Sequence, residues 1–116
     1  MASMDCVLCG IAQGDEAAER VYEDARVLAV TPLRPMAPVH VLLFPREHVA
    51  DLPTFLLEDV SAVGEVMRRA ALIAAELGLT GSGYRLAWNF GPDTKQRIMH
   101  PHLHLFGGAV LSGSLA

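Results

Sequence analysis

The sequence predicts an α+β fold with a mainly antiparallel sheet, built as a single domain over residues 1–116. The chain has an ordinary length for one domain. Strand-like segments stand before and after one long helical pattern instead of alternating with helices, and the connections are short. Hydrophobic residues make up 52% of the chain and charged residues 19%, a composition that supports a packed core and argues against disorder.

Five segments have the alternation and composition of strands. The first two are joined by a turn at Asp24-Ala25 and form a hairpin. Before the third, three prolines between positions 32 and 38 enforce an extended, non-helical loop, and Pro45 stops the strand. A glycine- and proline-containing loop at 91–95 separates the last two. The predicted strands cover residues 20–23, 26–30, 39–44, 84–89 and 98–106.

One long helix is predicted from about Glu58 to Leu77, because apolar residues recur there at three- and four-residue spacing. Gly78 is a suitable residue to end it. Residues 5–13 are expected to form a short helical turn or an irregular arm. The apolar stripe of the long helix is expected to comprise Val60, Val63, Met67, Ala70 or Ala71, Ala74 and Leu77.

Charge and hydropathy narrow the function classes. The net charge of −4 argues against a surface that binds nucleic acid over its whole extent, so any anion site is local. The first residues have neither a basic nor an apolar signal region, and the longest apolar runs, such as Val41–Phe44, are far shorter than the ~20 residues that span a bilayer. We therefore expect a cytoplasmic protein with no membrane or nucleic-acid partner.

Three of the five histidines alternate along the chain, at positions 100, 102 and 104. On a strand, alternate residues share one face, so these side chains would line one surface while Leu103 and Leu105 face the core. Pro101 is expected at the start of that strand or on an edge. Neutral imidazole is both a nucleophile and an acid–base group near pH 7. The pattern predicts a catalytic face; separate surface or core histidines are the alternative.

Both cysteines lie in one Cys6-Val-Leu-Cys9 unit. Such a pair can be a redox motif, half of a zinc site or two inert thiols. The redox interpretation expects a strand before the pair and a helix after it in a βαβ context, which the N-terminal sequence lacks. A zinc site is favoured, and it needs two further ligands.

The run His100-Pro-His-Leu-His-Leu-Phe106 resembles the His-x-His-x-His motif of the histidine-triad (HIT) family, and its Hint-like branch most closely. The resemblance extends over roughly residues 6–108. It includes the segment Pro38–His48, Glu76–Leu79, Asn89 and Gln96. It implies the HIT-like fold, a five-stranded sheet with one long helix and a short N-terminal helix, extended across a homodimer.

The resemblance also implies the roles of individual residues. His102 would be the nucleophile and would form a covalent nucleotidyl-histidine that water then cleaves. His104 would hold or polarise the phosphate oxygens, and His40 matches a further active-site histidine of the family. Polar residues of the family that contact the ribose–phosphate region correspond to Asn89 and Gln96. Candidates for the base pocket are Leu8, Thr31 and Leu33.

A structural zinc ion is implied as well. Some triad proteins, and the related galactose-1-phosphate uridylyltransferases, carry a Cys₂His₂ zinc. By that resemblance the ligands here are Cys6, Cys9, His48 and His100. A shell of two thiolates and two imidazoles has no open position, so this zinc would be structural.

The chain departs from the family pattern at two positions. Pro32 stands where many relatives carry a ribose-binding aspartate, and Arg97 stands where a serine often assists the leaving group. A local basic patch suited to a longer polyphosphate is a further prediction, with ordinary solvated charges as the alternative. Its residues would be Arg34, Arg46, Lys95 and Arg97.

Taken together, the residues and the resemblance predict a nucleotide phosphohydrolase or nucleotidyl transferase that acts on a nucleoside phosphoramidate or a dinucleoside polyphosphate. The alternative is a catalytically weak, zinc-binding HIT protein that serves as an interaction module, which the missing aspartate favours. A redox protein that uses Cys6 and Cys9 is a second alternative. The expected partners are a small nucleotide and a second copy of the chain.

Overall fold

The computed structural model describes residues 6–113, which form an antiparallel sheet flanked by helices on both faces. This confirms the predicted fold class, including the five strands and the short N-terminal helix. The order is α1 (Val7–Gln13), β1 (Glu19–Glu23), β2 (Val27–Thr31), β3 (Val39–Pro45), α2 (Leu52–Glu58), α3 (Val60–Glu76), β4 (Tyr84–Trp88), a 3-10 turn (Pro92–Thr94) and β5 (Leu103–Gly107).

The sheet has the strand order β1-β2-β3-β5-β4, with every neighbouring pair antiparallel. The central strand β3 pairs with β2 on one side and β5 on the other. Its alternate residues divide between two cores: Val41 and Leu43 face α3, while Leu42 and Phe44 face α1. The register pairs His40 with Phe106 and Leu42 with His104. The histidine strand therefore lies beside the most buried strand of the protein.

The helix predicted from about Glu58 to Leu77 corresponds to α3, and a separate helix, α2, ends directly before it. Asp59 adopts φ −148° and ψ 62°, which breaks the helix, and its carboxylate accepts from the backbone N–H of Ala62 to cap α3. The preceding helix α2 was not predicted. Its signals are Asp51, which caps it through the N–H of Thr54, and Pro53 in its first turn.

The buried stripe of α3 differs from the predicted one. Val63, Ala70 and Ala74 are buried as expected, but Val60, Met67 and Leu77 are exposed by 69%, 36% and 44%. Val66 and Ile73 complete the buried face instead. The three- and four-residue spacing fits either stripe, because α3 has apolar residues on two of its sides. The exposed side carries Val60, Gly64, Met67 and Ala71.

The last strand is shorter than predicted. It begins at Leu103 and not at residue 98, because Pro101 has no N–H for the ladder and the chain bends at His100. Pro101 thus lies just before the strand. Gly78 has φ +77°, as expected of the residue that ends α3. Within residues 6–113, no helix is both long enough and apolar enough to cross a bilayer.

Candidate active site and metal site

Three histidines, two on strands and one directly before a strand, meet on the face of the sheet that carries α1. We call His40, His102 and His104 the histidine face. His40 lies on β3, His104 on β5, and His102 directly precedes β5. The ring centroids of His102 and His104 are 5.1 Å apart, and those of His40 and His104 are 5.3 Å apart. Leu103 and Leu105 are fully buried on the opposite face. The alternation predicted from the sequence is confirmed for His102 and His104, whereas His100 lies in the bend before the strand.

The ring of His102 is oriented by the backbone of its neighbour. Its Nδ1 lies 2.8 Å from the carbonyl oxygen of His100. A carbonyl oxygen can only accept, so Nδ1 carries the proton. In neutral imidazole the other nitrogen, Nε2, then holds an available lone pair. Burial lowers the pKa of His102, and the hydrogen bond to the His100 carbonyl offsets this only in part. His102 is therefore a neutral, oriented imidazole at pH 7, and its Nε2 could act as a nucleophile.

A second chain of hydrogen bonds fixes the tautomers of His40 and His104. The backbone N–H of Met36 donates to His40 Nδ1 at 3.0 Å, so that nitrogen is unprotonated. His40 Nε2 must then carry the proton, which it donates to His104 Nδ1 at 3.0 Å. The remaining nitrogen of His104, Nε2, bears its own proton. His104 thus offers an N–H donor on the histidine face.

Both members of this chain are held in the neutral state. Burial lowers the pKa of His40. Burial, followed by the charges that His102 and His40 would carry, lowers the pKa of His104 to about 4. Near neutral pH the two rings therefore remain uncharged, and His40 Nε2 remains the donor to His104 Nδ1.

A second group, of two cysteines and two histidines, lies beside the histidine face. The sulfur of Cys6 is 3.4 Å from His100 Nδ1, and the sulfur of Cys9 is 3.2 Å from His48 Nδ1 and 3.5 Å from His100 Nδ1. The four donor atoms all lie within 4.8 Å of one another. His100 Nε2 donates to the carbonyl of Pro45 at 2.7 Å, which leaves Nδ1 as the nitrogen that faces the sulfurs. These four side chains, the Cys₂His₂ group, could hold a metal ion.

His100 joins the two sites. Its ring belongs to the Cys₂His₂ group and is completely buried. Its backbone carbonyl accepts the proton of His102 Nδ1. Both cysteines belong to the first turn of α1: the sulfur of Cys6 caps the helix by accepting from the N–H of Cys9, and both side chains are buried. The orientation of the His102 ring thus depends on the same residue whose own ring completes the Cys₂His₂ group.

The polar substrate candidates lie on the chain between β4 and β5. Asn89 directly follows β4 and is half-buried. The amide of Gln96 spans its own loop: Oε1 accepts from the N–H of Gly91 at 3.0 Å, and Nε2 donates to the carbonyl of Ile98 at 2.9 Å. Gln96 therefore shapes this loop, and its second Nε2 proton is the donor left for a ligand. Ligand binding by either residue remains a prediction.

The three base-pocket candidates lie in different environments. Leu8 is 1% exposed and packs in the core beneath α1, so it presents almost no surface to a ligand. Alternation along β2 directs Thr31 to the α3 side of the sheet, because its neighbour Val30 pairs with Leu42 on the α1 side. Leu33 is 99% exposed in the loop before β3. The structure does not bring these three together.

Arg46, one member of the predicted basic patch, makes structural contacts. The guanidinium of Arg46 donates to the carbonyls of Asp24 and Ala12 at 2.6 and 3.1 Å and to the Glu23 carboxylate at 2.8 Å. It ties α1 to the β1–β2 turn, so its assignment to a phosphate patch was wrong. The other three members of the patch are exposed: Arg34, Lys95 and Arg97.

Several groups of this site were not identified from the sequence. The N–H of Met36 and the carbonyls of Pro45 and His100 are backbone groups, which no side-chain pattern reveals. Phe106 is a different case. Its ring lies 4.4 Å from that of His40 and is stacked on that of His104, with centroids 5.5 Å apart and an interplanar angle of 6°. Its position continues the alternation of the histidines and could have been predicted.

The chain matches a model of the HIT domain over residues 13–110. A HIT-like protein of Synechococcus elongatus, itself uncharacterized, is 37% identical over 110 residues, which cover 95% of this chain and 96% of that protein.

Solved structures agree with this match. A HIT family hydrolase from Legionella pneumophila is 36% identical and superposes with a TM-score of 0.92, covering 97% of this chain and all of that one. A Zn-bound histidine triad family protein from Mycobacterium smegmatis is 38% identical with a TM-score of 0.76, covering 90% of this chain and 76% of that one. The fold is therefore that of histidine-triad proteins whose structures have been solved.

Proposed function

The chain belongs to the HIT domain family, and from this premise we propose that it is a nucleotide hydrolase or nucleotidyl transferase with His102 as the covalent centre. The observation that carries the proposal is the hydrogen bond from His102 Nδ1 to the His100 carbonyl. It leaves the lone pair of Nε2 available on a ring that is neutral at pH 7. The substrate class is a nucleoside phosphoramidate or a dinucleoside polyphosphate.

In the first step, His102 Nε2 attacks the α-phosphorus of the substrate and forms an N–P bond. The bond between phosphorus and the leaving group breaks, and the leaving group departs with the bonding electron pair and takes a proton from solvent. In the second step, water attacks the same phosphorus, the N–P bond breaks, a proton returns to solvent, and the nucleoside monophosphate is released. His102 thereby returns to its neutral state, and the net reaction is hydrolysis. With a different acceptor in place of water, the same intermediate gives transfer.

His104 is assigned to the phosphate oxygens. Its Nε2–H is a fixed donor, because His40 occupies Nδ1 and Met36 determines the tautomer of His40. Donors that are already oriented stabilise the charge that develops on these oxygens at no cost of reorganisation. Loss of one such donor typically lowers kcat by about 10²–10³-fold.

We assign zinc to the Cys₂His₂ group. Two thiolates and two imidazoles in a closed shell suit a structural zinc, and the Zn-bound relative from Mycobacterium smegmatis supports this choice. The ion would link α1 to the bend before β5 and would leave the chemistry to the histidine face. A reducing, cytoplasmic location is proposed because it keeps both thiols available as ligands.

The purified protein, incubated with an adenosine phosphoramidate and separately with a dinucleoside polyphosphate, is expected to release a nucleoside monophosphate from at least one of them. Arg85→Lys, a change on β4 outside the proposed machinery, serves as the matched control and is expected to retain this activity. Absence of release from both substrates by a correctly folded, metal-loaded protein would favour the interaction module instead. The missing ribose carboxylate at Pro32 is the feature in favour of that alternative.

We expect the protein to distinguish ribose from 2′-deoxyribose only weakly. Pro32 cannot accept hydrogen bonds from ribose hydroxyls through its side chain, whereas a buried carboxylate paired to them contributes a few kcal/mol of selectivity in sites that have one. Ribonucleotide and 2′-deoxyribonucleotide substrates should then have kcat/KM values within about tenfold of each other. Steady-state kinetics on a matched pair of substrates measures this ratio, and a preference for ribose above about a hundredfold contradicts the prediction.

We also propose that the protein is a homodimer. β4 lies at one edge of the sheet in the described part of the chain, and an exposed edge invites pairing. The exposed side of α3 adds an apolar stripe of Val60, Gly64, Met67 and Ala71, in which the glycine permits close approach of a second helix. Both features suit association of two copies about a two-fold axis.

Light scattering at micromolar concentration is expected to give twice the monomer mass of 12.5 kDa. Met67→Glu places a charge in the apolar stripe and should shift the mass toward the monomer. Leu72→Glu is the matched control, since Leu72 is 56% exposed on another side of the same helix. A monomeric parent, or equal effects of the two variants, would contradict the assignment of this surface.

A further inference from the structure

Phe106 contacts His40 and His104, the two hydrogen-bonded imidazoles of the histidine face, although the proposed mechanism gives it no role. It lies on β5, where the register pairs it with His40 on β3 and Arg85 on β4. Its ring centroid is 4.4 Å from that of His40 and 5.5 Å from that of His104. The nearly parallel rings of Phe106 and His104 leave one face of that imidazole against an apolar surface.

We infer that Phe106 is a positioning residue for the His40–His104 pair: its ring holds the two imidazoles in hydrogen-bonding register and keeps water from them, so that His104 remains a neutral donor. The inference rests on the proposed function for its catalytic meaning. The tautomers and ring orientations of the two histidines can be measured whether or not the proposed function is correct.

Orientation is the first part of this role. The χ2 torsion of histidine has a broad minimum, so the backbone alone does not fix the plane of either ring. The contact between His40 Nε2 and His104 Nδ1 at 3.0 Å requires both rings to point at each other. Phe106 packs against the two rings at once, which restricts their rotation together. A smaller side chain at 106 would leave both rings free to turn.

Protonation is the second part. An aromatic face can stabilise a nearby cation, so stacking alone would favour the imidazolium form of His104. Burial acts in the opposite direction, because it removes water from the charged form. Burial is the largest cause of the lowered pKa of His104, which lies well below its ordinary value. Phe106 contributes to that burial as one wall around the ring.

Few charged groups lie near the rings of Phe106 and His104. The titratable neighbours of His104 are His40 on β3 and His102 before β5, and both oppose its protonation. β4 contributes Arg85, whose guanidinium donates to the carbonyl of Ser112 at 2.8 Å, and the loop before β3 contributes the exposed Arg34. The helix α1, which covers the rest of this face, has no charged side chain between Val7 and Gln13. No acidic group among these elements would favour the imidazolium.

Phe106→Ala and Phe106→Leu test the inference, with Phe90→Leu as the matched control because Phe90 is 51% exposed just beyond β4. Long-range ¹H–¹⁵N spectra report the tautomer and the titration of each imidazole without any substrate. In Phe106→Ala we expect mixed tautomers of His40 and His104 and titration midpoints raised by about one pH unit or more, toward the ordinary histidine range. Phe106→Leu retains apolar bulk without the flat ring and should lie between Ala and the parent.

Kinetics provide the second readout. Activity requires neutral His40 and His104, so it is lost as the pH falls through their midpoints, and a raised midpoint moves this acid limb of kcat/KM to higher pH. We expect the pH at which kcat/KM falls on the acid side to increase in the order parent, Phe106→Leu, Phe106→Ala. In the alanine variant, kcat should be lowered by about tenfold while KM stays nearly unchanged. Phe90→Leu should match the parent in every measurement.

Two results would overturn the inference. One is a folded Phe106→Ala protein with the tautomers and midpoints of the parent. The other, decisive if the alanine variant does not fold, is a Phe106→Leu protein whose midpoints are unchanged. If the parent turns over no substrate, the proposed function fails, while the spectra still decide the role of Phe106.

Discussion

Replacing His102 with alanine is expected to abolish turnover and to leave the fold and the metal content intact. The ring of His102 is only partly buried, and its one hydrogen bond runs to a neighbouring backbone carbonyl. Its loss therefore removes the proposed nucleophile without opening the core. Removal of a covalent nucleophile costs about four to six powers of ten in kcat, far more than any other single change predicted for this chain. Steady-state release of nucleoside monophosphate measures it.

Met99→Ala is the matched control, because Met99 is 59% exposed three residues away and has no assigned role. It should retain the parent activity, and both variants should melt within a few degrees of the parent. A His102→Ala protein with activity within tenfold of the parent would remove His102 from the role of nucleophile. The reaction would then proceed by direct attack of water.

Removal of the metal is expected to produce the second large effect, on stability. Cys9 is 1% exposed, and its sulfur lies near both histidines of the Cys₂His₂ group. In Cys9→Ser the metal content should fall from about one zinc per chain to near zero, because a closed shell that loses one thiolate ligand binds zinc poorly. The midpoint of thermal unfolding should fall by about 10 °C or more, since 1 kcal/mol corresponds to about 4–8 °C in a domain of roughly this size.

Ile11→Ala separates metal loss from core damage. Ile11 is buried in the same helix α1 but is not a ligand. This variant should be destabilised by a lost core contact, about 2–5 kcal/mol for a fully buried isoleucine, and should keep its zinc. Metal analysis of protein prepared under reducing conditions without chelator gives the stoichiometry. A metal-free parent, or one in which Cys6 and Cys9 are joined as a disulfide, contradicts the zinc assignment.

The sequence predicted the parts of this site that depend on side-chain periodicity. Alternation from residue 100 to 106 placed three histidines on one face, because a strand has a period of two. The spacing of the cysteines indicated a metal site. The extent of the last strand was predicted wrongly, because Pro101 and the bend at His100 end the ladder before Leu103. That same bend directs the His100 ring into the Cys₂His₂ group.

What the sequence could not predict depends on backbone groups and on competing surfaces. The tautomers of His102 and His40 depend on the carbonyl of His100 and the N–H of Met36, which carry no signal in the side-chain pattern. On α3, two apolar stripes share one periodicity, and only packing against the sheet distinguishes the buried Val66 from the exposed Met67. The wrong assignment of Arg46 arises in the same way, from tertiary contacts.

We propose that the phosphorus becomes bonded to His102 during turnover. Intact-mass spectrometry of the parent, mixed briefly with a nucleoside phosphoramidate and denatured at alkaline pH to preserve an N–P bond, detects such a bond. We expect one added nucleotidyl group per chain, mapped by fragmentation to His102, and no such adduct on His102→Ala. Turnover by the parent without any adduct at the shortest mixing times, or an adduct on another residue that persists in His102→Ala, would contradict the account.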